Sequence, residues 1–446
     1  MIVQTEGRLH DHSILEDFLK RKLLAALLAA LLTLTLAACN KGDTGVNIPA
    51  DQTGTDDFQK NLHQYIKPDH NYSFVETDAG YYFCYSSLYF IDKDTKTGTE
   101  VCAKPDCDHT DDNICNARIH ARYLLTGGER IYFVPFGAQK LVRSVKPDAT
   151  ERKDVQELKY DEFSVSQSSN DQAIYHRGYI YYASDDILYR VKLGGDKGSA
   201  EVIWSPANAG ETQEVGGMLS YNPNWIHYTL WAEEETLYFM ANVQTSDGTY
   251  KDVLFQCDLT DMSVKQIWAT PSAEEVGEWE TTGVEVSQWY VMGGIIYFYL
   301  GGNGLWRTDL ASGQTEKMAD TGGKISYGSA VYSDGYVCIA NNIPKMNATS
   351  STLSPGSPLR FDADTIFVYG MNGSLLKEIS LQSIFDESDD ASAIDMLFCD
   401  STDVYFLITE WTYSTQFGWP IGNTGATILY RANFETGEIT QVYKLK

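Results

Sequence analysis

The sequence predicts an all-β protein, and three observations lead to this fold class. From about residue 72 to the C-terminus, short aliphatic and aromatic runs alternate with turns rich in Gly, Asp and Asn. No long stretch shows the 3.6-residue apolar period of an amphipathic helix. The chain also holds 29 Tyr and 18 Phe, which are residue types enriched in strands.

A two-strand pattern recurs seven times, at intervals of about 40 to 65 residues. Its first strand carries an apolar triplet, at Tyr81–Phe83, Ile131–Phe133, Ile180–Tyr182, Leu237–Phe239, Ile296–Phe298, Val337–Ile339 and Val404–Phe406. Its partner strand begins at Leu88, Leu141, Leu188, Leu254, Leu305, Ile366 or Leu429. Most partner strands run into a hairpin turn such as Asp92–Asp94, Ala311–Gly313 or Glu435–Gly437, and a further strand follows several of these turns.

Seven such units, each of four short strands, predict a single β-propeller over residues 72–446. Radially packed sheets bury both faces of their central strands, which agrees with triplets that are apolar on both faces. A β-helix would have shorter and more regular turns, and two sandwiches would show a central linker. The longest insertions are expected to decorate one rim, where loops on a rigid scaffold carry function; they are Ser205–Asn224, Ala273–Ser287, Asn342–Asp364 and Glu410–Gly425.

Residues 1–38 are predicted to be a lipoprotein signal region. The basic run Lys20–Lys22 precedes the uncharged segment Leu23–Ala38. A helix of that length spans about 24 Å, which is short of the roughly 30 Å needed to cross a bilayer. Such a pattern is typical of a secretory signal. The segment ends in Leu36-Ala37-Ala38-Cys39, which resembles the bacterial lipobox, in which the Cys is lipidated and becomes the new N-terminus.

Lipidation of Cys39 predicts a cell-membrane protein that is anchored on the extracytoplasmic face. Residues 39–71 then form the lipidated Cys and a polar tether, rich in Gly, Thr and Asp over Asn40–Asp57. Residues 1–19 carry Glu6, Asp11, Glu16 and Asp17, which are unusual in a signal peptide. Translation is therefore expected to begin further along the chain, close to Lys20. The formal net charge of −27 and the lack of a basic stripe exclude a nucleic-acid partner.

One cluster of metal-ligand residue types stands out, at Cys102, Cys107, His109 and Cys115. Three thiolates and one imidazole could form a closed tetrahedral zinc site, although the spacing is not that of a standard zinc ribbon. A disulfide among these Cys residues would also suit an exported protein, and free thiols would suit an anaerobe. Each alternative gives the cluster a structural role. The remaining body Cys residues are expected to be small core residues; they are Cys84, Cys257, Cys338 and Cys399.

The segment VCAKPDCDHTDDNICNA, in the first repeat of the body, resembles a group of lipoproteins from gut anaerobes of the Clostridia. That group carries a β-propeller domain of unknown function, likened to that of low-density-lipoprotein-receptor-related proteins. The resemblance covers the repeats over residues 72–446 and implies a propeller in the cell envelope, without catalytic residues to transfer. It rests on Cys102, Lys104, Pro105, Cys107, His109, Cys115, Asn116 and Ala117.

The sequence lacks the motifs of common catalytic sites. It contains no G-x-S-x-G, H-E-x-x-H or phosphate-binding G-x-x-x-x-G-K-[ST]. The segment Asp92–Lys96 begins like a calcium loop but lacks the later ligands, so it is interpreted as a hairpin turn. The sequence therefore favours a propeller that binds a glycan, a peptide or an envelope protein without catalysis. The alternative is a propeller-type polysaccharide hydrolase or lyase.

Overall fold

The computed structural model describes most of the propeller body. The predicted signal region, Cys39 and the tether lie outside the described residues. No helix with the length and hydropathy of a membrane span occurs in the described part of the chain. That part is 73–445 without 103, 105, 110, 112–113, 128–129, 136–140, 159–172, 185–186, 196–198, 206–228, 245–249, 272–285, 301–303, 321–327, 334, 342–344, 347–364, 385–390 and 414–419.

The described strands form seven antiparallel sheets, here called blades 1 to 7, and the strands of each blade pair in chain order. Blade 1 comprises β1 (Ser73–Glu76), β2 (Gly80–Cys84), β3 (Leu88–Asp92) and β4 (Gly98–Glu100). Blade 2 comprises β5 (Ala121–Gly127), β6 (Arg130–Pro135), β7 (Leu141–Val145) and β8 (Lys153–Glu157). Blade 3 comprises β9 (Ala173–His176), β10 (Tyr179–Ser184), β11 (Ile187–Lys192) and β12 (Glu201–Trp204).

The remaining four blades repeat this arrangement. Blade 4 comprises β13 (Thr229–Glu233), β14 (Thr236–Gln244), β15 (Tyr250–Asp258) and β16 (Val264–Ala269). Blade 5 comprises β17 (Val286–Met292), β18 (Ile295–Leu300), β19 (Gly304–Asp309) and β20 (Thr315–Ala319). Blade 6 comprises β21 (Gly328–Tyr332), β22 (Tyr336–Asn341), β24 (Thr365–Gly370) and β25 (Leu375–Ser380). Blade 7 comprises four strands, β26 (Ala391–Cys399), β27 (Asp403–Tyr413), β28 (Pro420–Asn433) and β29 (Ile439–Lys444), and an additional short strand, β23 (Lys345–Met346), which is left out when the strands and turns of this blade are numbered.

The seven blades form a ring, and the predicted β-propeller is confirmed. Seven hydrophobic clusters of the described residues each join neighbouring blades, and one of them joins blade 7 to blade 1. The first strands of successive blades contact each other around the centre, as β1 contacts β5 and β5 contacts β9. The predicted triplets lie in the second strand of each blade, and most of their side chains are buried.

Blade 7 departs from the prediction of four strands per blade. The two-residue strand β23 lies in the long insertion between β22 and β24 of blade 6. It pairs with β26 of blade 7, with Lys345 opposite Ser392. Because β26 is the innermost strand of its blade, its free edge would otherwise present unpaired backbone groups to the centre of the ring. The insertion supplies part of that pairing. A repeat search could not detect so short a strand.

In six blades the third turn, between the third and fourth strands, is closed by an Asp or Asn side chain. In blade 1 the Asp92 carboxylate accepts hydrogen bonds from the backbone N–H groups of Asp94 and Thr95, at 3.0 and 2.7 Å. In blade 5 Asp309 accepts equivalent bonds, and Gly313 follows at a φ of 71° that favours glycine. The interpretation of Asp92–Lys96 as a hairpin turn is confirmed.

These turns define one face of the ring, here called the turn face. In six blades a backbone N–H of the third turn donates to a carbonyl of the first turn, so both turns lie at the same end of the sheet; the pairs are Lys93–Ala79, Leu193–Gly178, Leu259–Glu235, Leu310–Gly294, Met371–Gly335 and Phe434–Thr402. Turns of neighbouring blades also meet, as where His176 Nε2 lies 2.7 Å from the Glu234 carbonyl oxygen. The second turns and the connections between blades leave from the opposite face, here called the loop face.

Among the described strands, none is shared between the first and last blades of the ring. Blade 1 holds only strands from the start of the described chain, and blade 7 only strands from residue 345 onward. Closure therefore depends on side chains. The Phe398 ring stacks on Phe74 at 4.5 Å between centroids and lies 4.4 Å from both Tyr81 and Tyr405.

A charge network at the turn face reinforces this junction. Lys96 Nζ, in the third turn of blade 1, lies 2.9 Å from Asp400 Oδ2 in the first turn of blade 7. The Tyr81 hydroxyl lies 3.3 Å from the same oxygen. Burial raises the pKa of Asp400, but the hydrogen bond and charge of Lys96 and the N–H groups of Thr402 and Asp403 outweigh it and hold the pKa below the usual 3.8.

Replacing Phe398 by Ala should weaken ring closure. The side chain is fully buried, so we expect a loss of about 3–5 kcal/mol in the free energy of unfolding, measured by urea denaturation. Leu376→Ala is the control, because Leu376 is 52% exposed on an outer strand; its effect should be about 0.5 kcal/mol or less. Equal effects of the two variants would contradict closure by aromatic packing.

The Lys96–Asp400 pair should make stability depend on pH. A carboxyl whose pKa is lowered by folding contributes stability that is present above its unfolded pKa and is lost as the pH falls through its folded pKa. Below about pH 4, wild type should therefore lose more stability than Asp400→Asn, in urea titrations across pH 3 to pH 7. Asp94→Asn removes an exposed carboxylate from the blade 1 turn and should follow wild type. Parallel curves for all three proteins would contradict the pair's contribution.

Candidate metal centre

The predicted Cys/His cluster lies on the connection that leads from β4 in blade 1 to β5 in blade 2. This connection folds back along the start of β3. The Leu88 N–H donates to the Ala117 carbonyl at 2.8 Å, and the Val101 N–H donates to the Leu88 carbonyl at 2.8 Å. The His120 N–H donates to the Ser86 carbonyl at 3.3 Å. Backbone hydrogen bonds therefore hold both ends of the connection at the loop face.

Apolar residues of the connection are part of the core between blades 1 and 2. Val101, Cys115, Ala117 and Ile119 are all buried there. Cys102 and Cys107 are half-buried and pack against the same core. Buried and more exposed residues alternate from 114 to 119. Cys115 therefore faces the core, and its neighbours Ile114 and Asn116 lie toward solvent.

The fold brings all four predicted ligand residues together. One donor atom from each of Cys102, Cys107, His109 and Cys115 lies within 4.8 Å of the others. His109 Nδ1 lies 3.3 Å from Cys115 Sγ, and Cys115 Sγ lies 3.9 Å from Cys102 Sγ. His109 has a φ of 57°, an uncommon conformation for a residue other than glycine, and this turns the chain so that its ring faces the thiols.

These separations resemble the edges of a zinc tetrahedron. With Zn–S near 2.3 Å and Zn–N near 2.0–2.1 Å, tetrahedral geometry places two sulfurs about 3.8 Å apart and a sulfur and a nitrogen about 3.6 Å apart. A disulfide needs an S–S distance of about 2.05 Å, whereas the seven body Cys residues all carry free thiols. A disulfide between Cys102 and Cys115, or between Cys107 and either of them, stays a prediction for an oxidised protein.

Two basic side chains fix the backbone that carries the ligands. Arg118 Nη1 donates to the His109 carbonyl at 2.7 Å. Lys104 Nζ donates to the carbonyl of Ile114, the residue before Cys115. Both cations therefore lie beside the cluster, where they favour negatively charged ligands.

The structure adds Glu100, a residue that the sequence analysis did not select. It ends β4, its side chain is only 6% exposed, and its Oε1 lies 3.7 Å from His109 Nδ1. Its Oε2 is buried and has no hydrogen-bond partner among the described residues. In the sequence, an acid two residues before the first Cys of the cluster was the available signal, but spacing alone does not show that its carboxylate is buried.

Burial changes the acidity of the thiols. Burial is the largest cause that raises the pKa of Cys102, to about 12, and the neighbouring Cys115 and Cys107 thiols raise it further. The pKa of Cys115 is raised as well, first by burial and then by the Cys107 thiol. Without a cation these thiols hold their protons at neutral pH, so a metal that bound them would have to displace protons.

The other body Cys residues behave as the sequence predicts. Cys84, Cys257, Cys338 and Cys399 are buried in strands and belong to interblade clusters. Burial raises the pKa of Cys84 and of Cys257 to about 12. Among the described residues, none of these four belongs to a group that could hold a metal ion.

No protein-family model and no curated protein matches the chain. Solved structures that match share little sequence with it. BamB from Moraxella catarrhalis is 11% identical, with a TM-score of 0.35 over 84% of this chain and 96% of that one. The designed protein Ika8 is 10% identical, with a TM-score of 0.38 over 83% and 82%.

Oligogalacturonate lyase in complex with manganese is 9% identical, with a TM-score of 0.36 over 61% of this chain and 73% of that one. Similarity at this level assigns neither an activity nor a ligand. The fold of this chain rests on its own seven sheets and the clusters between them.

Proposed function

We propose that the chain is an exported, lipid-anchored β-propeller that binds a glycan, a peptide or an envelope protein at its loop face. The observation that carries this proposal is the difference between the two faces of the ring. Turns on the turn face are a few residues long and are closed by hydrogen bonds. Four connections on the loop face are much longer, and they leave from a closed ring of packed blades.

The long connections leave from strand ends on one face. They span 101–120 between β4 and β5, 205–228 between β12 and β13, 270–285 between β16 and β17, and 342–364 between β22 and β24. Three of the four predicted rim insertions fall largely in these ranges, and most of their residues lie outside the described part of the chain. The fourth, Glu410–Gly425, is not an irregular insertion, because its described residues belong to the paired strands β27 and β28. Long loops on a closed scaffold are the usual place for recognition, because their sequence is free of packing constraints.

Aromatic residues of these connections support a glycan or peptide ligand. The described Tyr, Phe and Trp side chains pack between blades, and the exposed large apolar side chains of the described residues are aliphatic: Ile114, Val202, Leu375 and Leu376. The connections carry Tyr221, Trp225, Trp279 and Phe361, which lie outside the described residues. Aromatic rings offer a large contact area with a polar edge, which suits sugars and peptides.

The anchor is proposed from the N-terminal sequence. A basic run, an uncharged apolar segment and Leu36-Ala37-Ala38-Cys39 follow one another in the order of a bacterial lipoprotein signal. Two acyl chains on Cys39 would hold the protein at the membrane, where a single chain is marginal. The acidic, Gly-rich segment that follows would separate the propeller from the lipid surface.

Cys39→Ala should abolish lipidation. We expect the wild-type chain, expressed in a bacterial host, to incorporate labelled palmitate and to fractionate with membranes. The Cys39→Ala variant should incorporate no label, whereas Asn40→Ala, next to the modified residue, should match wild type. Absence of label from the wild-type chain would contradict the anchor.

A ligand panel tests the binding function. A ligand that binds only the folded chain raises its stability by about 2.7 kcal/mol at 100 times the dissociation constant. We expect thermal-shift screening with polysaccharide fragments and envelope peptides to give a hit that is recovered unchanged after incubation. Product formation from the hit would establish the hydrolase or lyase alternative instead. A panel without hits, followed by failure to co-purify an envelope protein, would contradict both.

A further inference from the structure

We propose that Cys102, Cys107, His109 and Cys115 bind one Zn²⁺ in a closed structural site, and that the buried carboxylate of Glu100 supports it. This proposal does not depend on the ligand-binding function of the loop face. Its first support is geometric. Four donors of the types that zinc prefers converge at separations close to those of a tetrahedron.

The second support is the environment of Glu100. A buried carboxylate is costly unless a cation or several hydrogen-bond donors compensate it. The Oε2 atom of Glu100 has no such donor among the described residues, and Oε1 faces His109 at 3.7 Å. A dication held by the neighbouring donors would provide the missing charge a few ångströms away.

The third support is the position of two cations, Lys104 and Arg118, on the ligand segments. Both cations contact these segments directly, through the carbonyls of Ile114 and His109. A positive charge near a thiol favours its thiolate form, which is the form that binds zinc.

A site with four protein ligands has no open position for water or substrate, so its role is structural. It would tie the connection between blades 1 and 2 to the core that these blades share. Cys115 is anchored in that core with 1% exposure, whereas Cys107 and His109 lie on the outer part of the connection. Zinc would fix the outer part to the inner part at the loop face.

Metal analysis of the full-length chain, purified in detergent under reducing conditions with zinc present, tests the proposal. We expect one zinc per chain in wild type and none in Cys107→Ser or His109→Gln. Cys257→Ala removes a buried thiol outside the cluster and should keep the zinc. A chelator should lower the Tm of wild type and of Cys257→Ala, and should leave that of Cys107→Ser unchanged.

Cobalt substitution provides a readout that does not depend on stability. Tetrahedral Co²⁺ with three thiolates should give intense visible d–d bands and near-ultraviolet charge-transfer bands in wild type, and these should be lost in Cys107→Ser. Absence of both zinc and cobalt binding in folded wild type would overturn the proposal. A disulfide among these cysteines would also overturn the proposal. It would appear in metal-replete protein without reductant as a mass lower by two hydrogens, and peptide mapping would locate it.

Glu100→Gln tests the carboxylate separately, because it keeps the shape of the side chain and removes its charge. We expect zinc affinity, measured by competition with a chromophoric chelator, to fall about tenfold or more. Glu438→Gln, an exposed position in blade 7, is the control for the loss of one charge and should bind as wild type does. Equal affinity in the two variants would remove Glu100 from the site.

Discussion

Packing between neighbouring blades is the interaction on which the rest of this structure depends. A four-stranded sheet that is apolar on both faces cannot be stable in water, and each blade here covers the faces of the next. The requirement is circular, so the last blade must cover the first. No described strand is shared at that junction, and the contacts that close the ring are those of Phe398 with its aromatic neighbours and of Lys96 with Asp400.

The candidate metal centre is a consequence of the same packing. The connection between blades 1 and 2 is held because Cys115, Ala117 and Ile119 belong to the interblade core. The polar part of the segment folds over these fixed residues, and this brings His109 and Cys107 close to Cys115. The cluster therefore joins a rigid core to a face of the ring that is otherwise formed by long connections.

The difference between the two faces also follows from closure. Short turns with Asp or Asn caps hold the ends of the strands on the turn face, where blades contact each other through His176, Lys96 and Lys377. Among the described residues, the loop face lacks these contacts between turns, so insertions there leave the contacts between blades at the turn face unchanged. The contacts that hold the turns together and the proposed binding surface therefore lie on opposite faces of the ring.

The sequence by itself determined the all-β class, the seven repeats, the hairpin turns and the four residues of the Cys/His cluster. These features are local, because an apolar triplet, an Asp-capped turn or a cluster of Cys and His residues is formed by residues that are close together in the sequence. Only the tertiary structure showed the fifth strand of blade 7, because β23 is too short to have a pattern and pairs across blades. Only the tertiary structure showed Glu100 as a buried carboxylate beside His109 and the Lys96–Asp400 pair at closure, because burial and pairing across some 300 residues depend on the whole ring.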